Sequence, residues 1–137
     1  MTIVITHNIG WFCSFEPLLR DQPFTGCLAG RTIVGINSNG DIRGCLSLMS
    51  GDSTDNIEGN IRDRSLMEIW NDPKSFLPFR NRTVVGLTGY CALCEYRNLC
   101  RGGCSSVAYS LIRSFSENPY CLHKYEIEQG IELNNCS

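Results

Sequence analysis

What this sequence lacks narrows the reading first. It holds no apolar run of about 18 residues, the length a membrane-spanning helix needs. Its start, MTIVITHNIGWF, has neither a basic flank nor a small-residue cleavage site, so it does not read as a secretory signal. Positive charge is not in excess: 12 Lys and Arg stand against 14 Asp and Glu, and no segment is strongly basic. Nucleic-acid binding is therefore not the default expectation. Internal repeats and low-complexity tracts are missing. These absences suggest a cytoplasmic protein with no membrane and no nucleic acid among its partners, and 137 residues fit one domain.

Cysteine is what the chain has in abundance, with nine residues. An odd count and no export signal weigh against a disulfide scaffold. Buried thiols acting as small hydrophobes would be scattered, whereas four of these fall in YCALCEYRNLCRGGCS as Cys91-x2-Cys94-x5-Cys100-x3-Cys104. Bunched thiols in a reducing compartment point to metal or cluster ligation. A zinc site accepts the first pair readily, but its usual second half is another x2 pair. The x5 and x3 gaps suit the wider iron–sulfur cubane slightly better, and the spacing alone leaves both open. Cys13, Cys27, Cys45, Cys121 and Cys136 lie outside the run. Eight thiols would serve two cubanes or two zinc ions.

The pattern along the chain predicts a small α+β fold: a β-hairpin plus short helices and cysteine-rich loops organised around two metal clusters. Residues 1–23 read as an opening linker without a clear period. RTIVGINSNGDIRGC, residues 31–45, predicts a hairpin closed by a two-residue Asn39-Gly40 turn. Residues 50–60 are polar and read as a loop. Ser65 and Glu68 predict a capping box for a helix with Leu66, Ile69 and Trp70 on one face, stopped by Asp72-Pro73, with a second short helix in PKSFLPF. Val107, Ala108, Leu111, Ile112 and Phe115 repeat at helical spacing behind an N-cap at Ser105 or Ser106. A last helix is expected over 119–129, with Cys121 in its first turn. Gly102 and Gly103 let backbone N–H groups approach a cluster's sulfurs, and Arg97 and Arg101 place positive charge beside it or are simply solvated.

The spaced cysteines resemble those of the SPASM domain, the auxiliary-cluster domain of radical SAM peptide-modifying enzymes. Cys27, twelve residues, Gly40, four residues and Cys45 match its first part. Cys91, Cys94, Cys100 and Cys104 match its second, and Cys121 its last. The strings GCLAG, GNIRDRSLMEIWND, CRGGC and NPYC are similar as well, so the likeness covers about residues 24–125 of a domain expected over 24–130, followed by a tail.

The resemblance implies two 4Fe–4S clusters, with Cys91, Cys94, Cys100 and Cys121 on auxiliary cluster II and Cys27, Cys45 and Cys104 on auxiliary cluster I. Cluster I would either recruit Cys13 or keep an open iron. The resemblance also implies electron transfer or substrate engagement beside a radical SAM barrel, in the same chain or a partner, acting on a peptide or protein. The Cys-x3-Cys-x2-Cys loop for S-adenosylmethionine cleavage and its own 4Fe–4S cluster is not in this sequence, since Val107 stands at the third position. The chain alone is therefore not expected to be catalytic, and the strand-like TIVITHNIGWF reads as the exit from a barrel. A zinc-stabilised binding module and a standalone ferredoxin-like carrier are the alternatives.

The remaining candidates have plainer readings. His7 and His123 are the two histidines, and His123 is expected to line the surface of the cluster that Cys121 holds. Asp21 and Asp41 could be acid–base groups, although Asp41 reads as a turn residue. Trp70, Phe76 and Phe79 are expected in the core. The glycosylation-type triplets at Asn81 and Asn135 are chance matches without export, and EIEQGIE is a solvated helix face. Cys136 is a spare thiol.

Overall fold

The computed structural model describes residues 12–48 and 54–131. These residues form two compact units: Leu28–Arg82, and the flanking stretches up to Cys27 and from Thr83 onward. His7, Asn135 and Cys136 lie outside the described residues, as do the first four residues of the 50–60 loop.

The Leu28–Arg82 unit is built on an antiparallel sheet of order β1-β2-β3, with β1 Gly35–Ile36, β2 Asp41–Arg43 and β3 Ile57–Asn60. The expected hairpin is present, but RTIVGI contributes only its last two residues as strand. Ala29 and Ile33 make an isolated bridge before it. The turn also differs from the two-residue form. Gly40 N–H donates to Asn37 O at 2.9 Å and Asn37 N–H to Asp41 O at 2.8 Å, so three residues close the loop. A two-residue Asn-Gly turn needs positive φ at both positions. Here Gly40 takes φ +92° and Asn39 does not follow. Asn60 then ties the turn, its side-chain amide donating to Asn39 O at 3.1 Å and to Asp41 Oδ1 at 3.0 Å.

The loop expected over 50–60 is corrected at its end, where IEGN forms β3. Little in its composition favours a strand. Pairing supplies what propensity does not: Asp41 faces Asn60, Ile42 faces Gly59 and Arg43 faces Ile57, with a bulge between Ile42 and Arg43. Gly59 is required by close packing, because a Cβ there would meet Ile69 Cδ1 at 2.9 Å.

Ile69 comes from α2, Leu66–Asn71, whose capping box forms as expected: Glu68 N–H donates to Ser65 Oγ, and Glu68 accepts from Ser65 N–H. Ile42, Leu48, Ile69, Phe76 and Phe79 fill the core of this unit, so the two phenylalanines sit where the sequence reading put them and Trp70 is half-buried. The helix read into PKSFLPF starts later, as α3 Leu77–Arg80, because Phe76 before it adopts φ +60°. Arg80 stacks over Trp70 and Phe76, 4.8 Å from each ring centre, and donates to Gly30 O and Trp70 O.

The other unit is helical: α1 Glu16–Leu19, α4 Gly89–Leu93, α5 Arg97–Cys100, α6 Ser105–Ile112 and α7 Leu122–Glu128. Only α6 and α7 were legible as helices. The N-cap of α6 is Cys104 rather than a serine, and Ser105 and Ser106 are buried in its first turn. Leu111 and Ile112 stay largely exposed, so the inward face is the small one, Ser105, Ser106 and Ala108. α7 begins at Leu122, which makes Cys121 its N-cap instead of a first-turn residue. Two buried carboxylates close the unit. Glu126 of α7 accepts from Ser14 N–H at 3.0 Å and Ser14 Oγ–H at 2.7 Å. Glu16 accepts from Phe24 N–H at 3.1 Å and pairs with Arg20.

Candidate metal centre

Helix ends deliver the thiols. Cys91 lies inside α4 and Cys94 is its C-cap, Cys100 ends α5, and Cys121 caps the start of α7. Short helices leave most of their terminal N–H groups without an intrahelical partner. A sulfur at a terminus can accept from them, and this chain uses that repeatedly. The backbone N–H groups of Lys124 and His123 face Cys121, that of Gly103 faces Cys100, and that of Tyr96 faces Cys94.

Cys91, Cys94, Cys100 and Cys121 line one small cavity, together with Phe12, Tyr90, Arg97, Gly102 and His123. The structure thus brings together four of the seven cysteines singled out from the sequence, from positions up to 30 residues apart (121 − 91). Burial governs their chemistry. It pushes Cys100 up to about 12 and Cys121 up to about 11, with neighbouring thiolates adding to the rise. Cys94 is raised for the same reason, opposed by the Tyr96 N–H and by Arg97. Metal-free, this cavity holds protonated thiols; a bound cation would reverse that preference.

Gly102 adopts φ +80° and Gly103 φ +71°, and Gly102 joins the cavity wall. Arg97 lines the cavity and donates to Ala92 O at 2.7 Å. Arg101 is the left-handed C-cap of α5 and is not in that wall. His123 is only 1% exposed, and its Nδ1 has no hydrogen-bond partner among the described residues. Burial pushes its pKa down, against the pull of the Glu95 carboxylate.

The other cysteines are distributed differently. Cys104 is buried against Phe12 and Phe24, with Sγ 3.1 Å from Ser106 Oγ. Cys27 is half-buried in the same unit, Cys13 is fully buried, and Cys45 belongs to the sheet unit just after β2. The eight described cysteines form no disulfide with one another. Among the described residues, no three His, Cys, Asp or Glu side chains converge tightly enough to hold a single metal ion.

Asp41 is a turn residue, held below the usual carboxylate range by Asn60 and Asn39. Asp21 is exposed and lines a larger cavity of about 390 Å³ with Phe12, Glu16, Arg20 and Tyr96. No cysteine is among the residues that line that cavity. Among the described residues, no helix is long and apolar enough to cross a membrane.

Comparison with known proteins bears on this thiol arrangement. The family model for SPASM, an iron–sulfur cluster-binding domain, matches residues 27–105, more than half of the chain. The AdoMet-dependent heme synthase of Methanosarcina barkeri is 32% identical over 100 residues, covering 72% of this chain and 26% of that protein. The Nitratidesulfovibrio vulgaris heme synthase is 34% identical over 105 residues, 76% of this chain and 26% of the relative. The PqqA peptide cyclase of Xanthomonas axonopodis pv. citri is 33% identical over 86 residues, 60% of this chain and 21% of the relative. The chain spans about a quarter of the length of these relatives.

Proposed function

This chain belongs to the SPASM family of iron–sulfur cluster-binding domains of radical SAM enzymes, and on that premise we propose that it holds two 4Fe–4S clusters beside a radical SAM barrel. Cys91, Cys94, Cys100 and Cys121 hold cluster II; Cys27, Cys45 and Cys104 hold cluster I, which either recruits Cys13 or keeps an open iron. The observation that carries this reading is the single cavity lined by the four cluster II cysteines.

The donor set fits the group. Four thiols share one wall, the number of thiolates that a 4Fe–4S cluster takes. Backbone N–H groups already face three of the sulfurs, and Arg97 adds positive charge beside an anionic cluster. When bound, the clusters supply one-electron chemistry. The chain's own residues orient the thiolates, donate hydrogen bonds to sulfur and screen the site from water with Phe12 and Tyr90. In this reading the domain transfers electrons or engages the substrate, while S-adenosylmethionine is cleaved in the barrel with its own cluster.

The substrate is a peptide or protein side chain, as the name of the peptide cyclases suggests. A heme precursor is the second reading, favoured by the longer match to heme synthases.

Anaerobic reconstitution tests the cluster assignment. About eight iron and eight sulfide per chain are expected, with absorbance near 400 nm. Cys94→Ala and Cys104→Ala should each remove about half of the iron, but from different clusters, as told by which reduced-cluster EPR signal survives. Zinc without sulfide, or loss of the same signal in both variants, refutes it. A full-length relative supplied with peptide or porphyrin then decides the substrate by the mass of the product.

A further inference from the structure

His123 stands out in the wall of the thiol cavity. It follows Cys121 by two residues, at the second position of α7, and its ring is 1% exposed. Tyr96 meets it edge-on at 4.9 Å and 75°, and Tyr90 at 6.0 Å and 63°, so packing fixes the ring's orientation. Nε2 faces Glu95 Oε1 at 3.7 Å, too far for a hydrogen bond. Nδ1 is buried with no partner among the described residues. A buried polar atom left unsatisfied costs about 1–3 kcal/mol. The Phe12 backbone lies against the ring and favours its protonated form, yet Nδ1 makes no hydrogen bond among the described residues, so this buried nitrogen calls for an acceptor.

We propose that His123 is a hydrogen-bond donor to the cluster held by Cys91, Cys94, Cys100 and Cys121, its Nδ1–H directed at a cluster or thiolate sulfur, and that it raises the cluster's reduction potential. The inference rests on the two-cluster reading above. It assigns His123 as a positioning and tuning residue, not a ligand. One-electron reduction makes an anionic cluster more negative, and a donor at its sulfur stabilises the reduced state more than the oxidised one. The Nδ1 atom is the one that matters, and an Asn amide nitrogen can occupy about the same position.

The test is a redox titration of the full reconstituted chain, following the reduced-cluster EPR signal that Cys94→Ala abolishes. His123→Leu should lower the ratio of reduced to oxidised cluster about tenfold at a fixed potential, equivalent to about 59 mV for a one-electron couple. His123→Asn should stay near the parent. An unchanged potential in His123→Leu, or an equal drop in both variants, overturns the proposal.

Should His123→Leu not assemble, the parent chain answers the question. Only two histidines occur, so 15N-histidine labelling in a His7→Gln chain isolates His123. Weak hyperfine coupling from that nitrogen to the reduced cluster supports a hydrogen bond. Strong coupling with loss of a cysteine ligand, or no coupling, overturns it. If the chain takes up no iron and sulfide, the cluster reading itself has failed; a loaded cluster blind to His123 sinks this proposal alone.

Discussion

Burial of the cavity thiols predicts unusually slow chemistry in the metal-free protein. Cys100 is pushed up to about 12 from an ordinary 9.0, chiefly by desolvation and then by the charge of Cys121. A rise of about 3 units lowers the thiolate population about 1,000-fold at pH 8. A more basic thiolate is also a better nucleophile, which returns roughly 20-fold at a Brønsted slope of 0.4–0.5. The net expectation is that Cys100 reacts with a small disulfide reagent about 50-fold slower than the same residue in the urea-unfolded chain. Cys121, pushed up to about 11, should be slowed roughly tenfold by the same reckoning.

The assay is site-resolved mass spectrometry of the reduced, metal-free chain between pH 7.5 and 10.5. Rates at Cys100 should keep climbing about tenfold per pH unit past pH 9, where an ordinary thiol levels off. The sign for stability follows. Thiols whose folded pKa is raised favour the metal-free fold fully below pH 9, and that contribution is lost as the pH rises toward 11–12. If Cys100 reacts at the urea rate and levels off near pH 9, the cavity is not formed without metal and the argument fails.

Two further predictions concern the sheet unit. Ile69→Ala removes a fully buried side chain packed on Gly59, and should cost about 3 kcal/mol and lower Tm by on the order of 10 °C in thermal unfolding; a change below ~1 kcal/mol would mean that β3 does not rest on α2. Glu58 is raised above 4.5 by burial, against the hydrogen bond it accepts from Phe76 N–H at 2.7 Å. Its ionisation therefore weighs on the fold as pH rises above 4.5, and Glu58→Gln should raise Tm at pH 7 while matching the parent at pH 4; a lower Tm at both values contradicts the sign.

The parts legible in sequence were those with local physics. The Ser65–Glu68 capping box depends on residues three apart, and it forms as read. The hairpin region was legible from β-branched residues and Asn39-Gly40, but its loop length was not. IEGN pairs with β2 as a strand and its Gly59 seats on Ile69, contacts that its own composition does not announce. Serine outranks cysteine on any capping scale, so Ser105 hid the cap at Cys104. α4 and α5 are too short for a period to show. The cysteine spacing carried the resemblance, which grouped Cys121 with Cys91, Cys94 and Cys100; the bare spacing gives no reason for that grouping, and the structure lines one cavity with the four. The isolation of His123 Nδ1 was likewise invisible, although its place two residues after Cys121 was a usable hint.

The bond between Ser14 and Glu126 joins residues 112 positions apart. On the ribosome this separation becomes a timetable. The Leu28–Arg82 unit is a continuous stretch and can fold as soon as Arg82 emerges, because its contacts are local to it. The helical unit must wait, with Phe12 to Cys27 already made, until Cys121 and Glu126 are synthesised. Cys91, Cys94 and Cys100 are made before Cys121, the fourth thiol of their cavity. A cluster held by all four, as proposed above, would have its full set of thiols only after Cys121 is made.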